Sequence, residues 1–263
     1  MKGVIIINRS GLSIGGLVCR QAKIMTYKVN GITLSGVNYR ESDKMLTIFT
    51  VEKGKIGAVA RGVRKANAKS KQISEPFCFA EAVISEKSGR KTITEINPFD
   101  NFYPVRTDVV KYYAGMCALE LTNAFIPEGL VAEGHFVLLA EFLKKLAYST
   151  INAVNLLVKF FYDAAEENGF AINLSFCGRC GKPIEKRVFL SSREGICVCE
   201  ACRKEGDGGY SIDTYKYLKK ISENDTEAGD DKLRKNGLKF FGYYLEKVSG
   251  VNLKSLPELI ALI

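Results

Sequence analysis

A chain of 263 residues, 46% of them hydrophobic, can bury at least one sizeable core, and its length suits two packed units or one unit with an insertion. A formal charge of +9 favours an acidic partner, nucleic acid or an anionic membrane surface. The apolar run Val4 to Ile7 is broken by Asn8 and Arg9, too early for a membrane span or a secretory leader; the expected location is therefore the cytoplasm, where clustered cysteines hold metal more often than they pair.

Residues 1–24 match no element of the remaining chain. They are read as an N-terminal extension, either disordered or the product of a misassigned start with Met25 as the true first residue. From Thr26 to about Asp100, short β-type runs (27–35, 45–51, 55–63, 77–85 and 91–96) are broken by turn signals at Glu52-Lys53-Gly54 and Lys87-Ser88-Gly89-Arg90. Five strands in so short a stretch predict a five-stranded OB-type β-barrel over 25–104, within an α+β chain. Residues 26–104 carry thirteen basic against eight acidic residues. The run Arg61 to Lys71 alone holds five basic residues and no acidic one, a composition suited to a phosphate backbone. Arg40, Lys44, Arg90 and Lys91 are candidates to extend that face, and Tyr39 is a candidate base-stacking residue; a plain solvated loop is the competing reading.

After Pro104 the period becomes helical. Val110, Tyr113, Cys117, Leu121 and Ala124 share one face; Phe136, Leu139, Leu143 and Leu146 share the next; Val154, Leu157, Phe161 and Ala165 continue the pattern, with Asn168-Gly169 as a stop. Leu238, Phe241, Leu245 and Val248 form a late stripe behind a polar loop, 222–231. These stripes read as core. The expected second unit, 105–263, is thus a helical domain carrying an inserted zinc segment at 176–206.

That segment holds the sharpest local signal: Cys177-Gly178-Arg179-Cys180, then eighteen residues, then Cys199-Glu200-Ala201-Cys202. Two C-x-x-C knuckles so spaced predict a four-cysteine zinc site, which leaves zinc no open position and is therefore structural. Cys197 offers a third nearby thiol that competes with the second knuckle, but the regular spacing favours Cys199 and Cys202. No phosphate-binding loop of the G-x-x-x-x-G-K-[ST] type, no H-E-x-x-H and no dinucleotide fingerprint is present, and the single histidine, His135, has no obvious partner. The chain is not expected to be an enzyme.

Tyr39-Arg40-Glu41-Ser42-Asp43, Thr47 to Phe49, Gly54-Lys55, Val59 to Lys65 and Glu75-Pro76-Phe77, followed by Cys177 to Gly181 and Arg193-Glu194-Gly195, resemble in their order the RecO family of bacterial recombination mediators. The resemblance runs from about Met25 to the end. It implies a nucleoid-associated protein that binds single- and double-stranded DNA, anneals complementary strands without ATP, and acts with RecR to load RecA on DNA coated by single-strand-binding protein. Carried over by position, Arg40, Lys44, Arg61, Arg64 and Lys65, with Lys69 and Lys71 of the same run, form the DNA face; Cys177, Cys180, Cys199 and Cys202 hold zinc; and the helical middle docks the tail of single-strand-binding protein. A zinc-ribbon protein adaptor and an RNA-binding barrel are the alternatives.

Overall fold

The computed structural model describes residues 24–65, 74–191 and 193–263. The expected extension up to Lys23, and Lys69 and Lys71 of the basic run, lie outside the described residues. The first half is built from β1 (Met25–Tyr39), β2 (Asp43–Thr50), β3 (Gly54–Ala60), β4 (Phe79–Lys87) and β5 (Arg90–Asp100). β-Branched and aliphatic residues alternate with polar ones along β2 and β4, so each strand buries one row. Val29, Leu46, Ile48, Ile56, Ala58, Ala82 and Ile84 fill the interior this creates.

The strands run in the order β1-β2-β3-β5-β4, and β4 returns to β1. Antiparallel pairing carries this arrangement, with eight residue pairs between β1 and β2 and eight between β1 and β4. Between β3 and β5 the strands are parallel and share two pairs, Val59 with Thr92 and Ala60 with Ile93. The seam is short because β3 stops at Ala60: Gly62, at φ +67, turns the chain away, and its N–H is held by Asp43 Oδ1 at 2.8 Å. The expected OB-type barrel is corrected in detail and not in closure: the five strands close on themselves, but through a two-pair parallel seam and with register shifts in β1, β4 and β5 that the strand pattern does not foretell.

The other half has the expected helices and four-cysteine segment. After a short α1 (Tyr103–Thr107), helices α2 (Val109–Phe125), α3 (Glu133–Tyr148) and α4 (Ala153–Glu167) match the three predicted stripes, with Asp108 and Asn152 accepting the N-terminal N–H groups of α2 and α4. The cysteine segment lies between α4 and the last helices and brings strands of its own. It forms a three-stranded antiparallel sheet in the order β7-β6-β8, from β6 (Arg187–Ser191), β7 (Ile196–Cys199) and β8 (Gly208–Ser211). β8 leads straight into α5 (Ile212–Ser222), then α6 (Asp231–Ser249) and α7 (Leu256–Leu262).

Sheet and helices share one core. Ile32, Leu34, Phe49 and Phe77 belong to the same buried cluster as α2, α3, α4 and α6. The β2–β3 turn is pressed onto the α2–α3 connection: a Cβ on Gly54 (φ +63) would lie 1.9 Å from Leu130 O, so only glycine fits. Gly129 N–H donates to Lys55 O at 2.8 Å alongside.

Candidate metal centre and nucleic-acid interface

The first knuckle is a tight turn in which Cys177 N–H donates to Lys182 O and Gly181 N–H (φ +72) donates to Cys177 O. Gly178 N–H reaches across to Cys197 O at 2.8 Å, and the approach leaves no room for a side chain, since a Cβ there would lie 2.9 Å from Ile196. The β6–β7 hairpin then delivers Cys199, and a single 3-10 turn, Glu200–Cys202, delivers the last thiol. The sulfurs of Cys177, Cys180, Cys199 and Cys202 all lie within 4.8 Å of one another, with Cys180 and Cys199 at 3.9 Å. Tetrahedral zinc bound by four thiolates needs sulfur–sulfur separations of about 3.8 Å, so the set fits a structural Zn2+ site.

The electrostatics agree. Burial pushes the Cys177 thiol up, but the backbone N–H of Cys199, donating to its sulfur at 3.4 Å, together with those of Cys180 and Arg179 and the Cys180 thiol, brings it down to about 6. Cys197 stands outside the cluster. It is 1% exposed within the core, and burial, then the charge of Cys177, pushes it up to about 12, so it packs as a small apolar residue.

Arg179, inside the first knuckle, ties the module together. It donates to Glu194 through Nε and Nη2 at 3.0 Å, to Asp207 Oδ2 at 2.9 Å, to Ser191 Oγ at 3.1 Å, and to the carbonyl of Cys202. Sequence reasoning gives it no role of its own; the acidic residues at 194 and 207 are the available signal.

Of the predicted DNA face, two turns are joined. Arg64 Nη1 donates to the carbonyls of Arg40 and Glu41 at 3.0 Å, and Arg64 N–H donates to Ser42 O at 3.0 Å. Arg40, Arg64 and Lys65 are therefore held side by side and exposed, with the Arg40 guanidinium 5.2 Å from the Tyr39 ring centre. Lys44 is engaged otherwise: its Nζ sits 2.7 Å from Glu75 and it is 17% exposed. Arg61 points into a different company. It lines a cleft with Lys87 and Arg90 of the β4–β5 hairpin and with the hydroxyl residues Ser85, Ser88, Thr92 and Thr94. Lys91 lies on another cleft with Lys53, Lys55 and Tyr27. Lys87 escapes sequence reasoning because nothing there links it to Arg61.

His135 is fully buried. Its Nδ1 accepts from the Asn168 amide at 2.8 Å and its Nε2 pairs with Thr122 Oγ1 at 2.9 Å, while burial lowers its pKa to about 4. It is a neutral packing residue. Among the described residues no helix is long and apolar enough to cross a membrane.

Known proteins resemble this chain over both of its halves. The family model described as "Recombination protein O N terminal" matches residues 25–102, and "Recombination protein O C terminal" matches 106–257. DNA repair protein RecO of Alkaliphilus metalliredigens is 30% identical over 188 residues, covering 72% of this chain and 76% of that protein. RecO of Pelobacter propionicus is 32% identical over 190 residues (68% and 73%), and RecO of Syntrophomonas wolfei 29% over 189 (72% and 74%). The chain belongs to the RecO family, and it is a DNA recombination mediator rather than an enzyme.

Proposed function

We propose that the chain anneals complementary DNA strands without ATP, holding them on the N-terminal sheet through Arg40, Arg61, Arg64 and Lys65, with Lys69 and Lys71 continuing the run. The observation that carries this reading is the grouping of exposed cations: one set on the two joined turns, and a second set where Arg61 meets Lys87 and Arg90 over a hydroxyl-lined cleft. Base pairing drives annealing, so the protein need only neutralise phosphate repulsion between strands. Lys44, paired with Glu75, contributes by orienting the loop rather than by direct contact. Residues 25–104 thus act as the DNA-binding unit. Residues 105–263 act as the partner-binding unit, in which the helical middle takes the tail of single-strand-binding protein, and RecR joins the assembly that loads RecA in the cytoplasm.

The test is fluorescence-monitored annealing of complementary oligonucleotides without ATP, on naked strands and on strands coated with single-strand-binding protein. Salt-sensitive acceleration on both supports the reading. Folded protein that accelerates neither, while still capturing a protein partner, overturns it in favour of a zinc-module adaptor.

A further inference from the structure

The zinc module carries a cationic feature that its structural role does not use. Arg187, at the start of β6, and Arg203, immediately after the last cysteine of the second knuckle, both place their guanidinium groups 5.4 Å from the centre of the Phe189 ring. Phe189 is itself 3% exposed, whereas both arginines are exposed, so the ring is the floor and the guanidinium groups face outward. The neighbouring strand makes room for this stack. Gly209 lies opposite Phe189, and a Cβ there would come 3.1 Å from the ring and 3.3 Å from Arg187 Nη2.

Neither arginine is neutralised. The module's carboxylates at Glu194 and Asp207 are taken by Arg179 and Lys204, and among the described residues no carboxylate forms an ion pair with Arg187 or Arg203. Stacking on one aromatic ring has thus already oriented two guanidinium groups, so less side-chain freedom remains to be lost on binding, and among the described residues their donors have no carboxylate partner. We infer that Arg187 and Arg203, stacked on Phe189, form a second nucleic-acid contact that binds the phosphate backbone of a strand. The inference rests on the reading of the chain as a DNA-annealing protein and adds to it a second place for a strand, on an element other than the N-terminal sheet.

Spacing favours a polynucleotide. The two charges are no further apart than twice their distance to the ring centre, and a helical strand carries one phosphate per ~3.4 Å of its axis, so neighbouring phosphates of one backbone can meet both charges. Guanidinium forks also suit phosphate oxygens, giving contact without base preference.

The experiment uses the full chain carrying Arg187→Gln and Arg203→Gln, which keep much of the stem packed on Phe189 while removing charge. Zinc content and circular dichroism verify the fold, and the exposed single change Arg187→Glu serves as a second variant. The double variant is expected to anneal complementary oligonucleotides about tenfold more slowly, and to lower the slope of log affinity against log salt for a single strand by ~1.4, the value for two lost phosphate contacts. Arg187→Glu should slow annealing as well. Wild-type annealing and an unchanged salt slope in both variants overturn the inference. So does a double variant that keeps those values but loses binding to a labelled polyglutamate peptide, which would make the feature a dock for an acidic protein. A parallel variant, Arg61→Ala with Arg64→Ala and Lys65→Ala, tests the N-terminal face separately; if it binds DNA like wild type, that reading fails whatever the glutamine variants do.

Discussion

Two side chains at the residue scale show how burial decides a role that residue type leaves open. His135 has a folded pKa near 4 against about 6.5 for the unfolded chain, so between those values the unfolded state binds the additional proton. Its contribution is therefore fully present above pH 6.5, lost progressively as pH falls towards 4, and amounts to on the order of 3 kcal/mol. Urea unfolding of wild type and His135→Gln at several pH values should show a steeper acid decline in wild type; parallel curves would remove the histidine from the account. Arg179 lies in opposite surroundings: its guanidinium is charged at any working pH, and Glu194 and Asp207 favour that charge further. Asp207, 7% exposed, would lose its ion-pair partner in Arg179→Met and keep only the Lys204 N–H at 2.8 Å and the Ser191 hydroxyl, so this variant should lose on the order of 2 kcal/mol after discounting for the partly exposed Glu194. The same loss in an Asp207→Asn background would mean that the pair is not the source.

Whole elements separate what sequence pattern can reveal from what it cannot. The stripes of α2, α3 and α4 were legible because each keeps a 3.6-residue period over fifteen or more residues and is opened or closed by a polar cap. β6, β7 and β8 span five, four and four residues, too few to establish any period, and the cysteines' spacing spoke of ligands rather than of strands. α5 was hidden by its lysines: Thr214, Tyr215, Leu218 and Ile221 make a buried face, but only alongside exposed Lys216 and half-buried Lys219. The metal set was readable, and regular spacing already favoured Cys199 and Cys202 over Cys197; that the core covers Cys197 was not readable, because it depends on tertiary packing. Strands this short need the metal to hold their far end. Removing zinc with a chelator, or Cys180→Ser, should speed amide exchange across 176–211 and leave β1 to β5 protected. Full zinc content and unchanged exchange in Cys180→Ser would remove Cys180 from the ligand set.

For the molecule as a whole, the shared core sets a condition on function. Because Ile32, Leu34, Phe49 and Phe77 are buried together with the helices, and Gly54 meets Leu130 at backbone distance, the N-terminal sheet is tied to the helical half and cannot swing freely away from it. A strand held on the sheet is then presented at a fixed angle to whatever docks on the helices. Gly54→Ala attacks that joint and no DNA contact: the added Cβ must displace Leu130, and the positive φ adds strain, for a cost of about 2 kcal/mol or more. Single-strand affinity, which depends on local cations, should stay within about twofold of wild type, since a phosphate contact is set by charge and salt. Annealing on strands coated with single-strand-binding protein should fall further than annealing on naked strands, because only the former needs both halves held in register. The ratio of the two rates in Gly54→Ala against wild type is the quantity to measure. An unchanged ratio in folded protein would mean that sheet and helices work independently despite their common core.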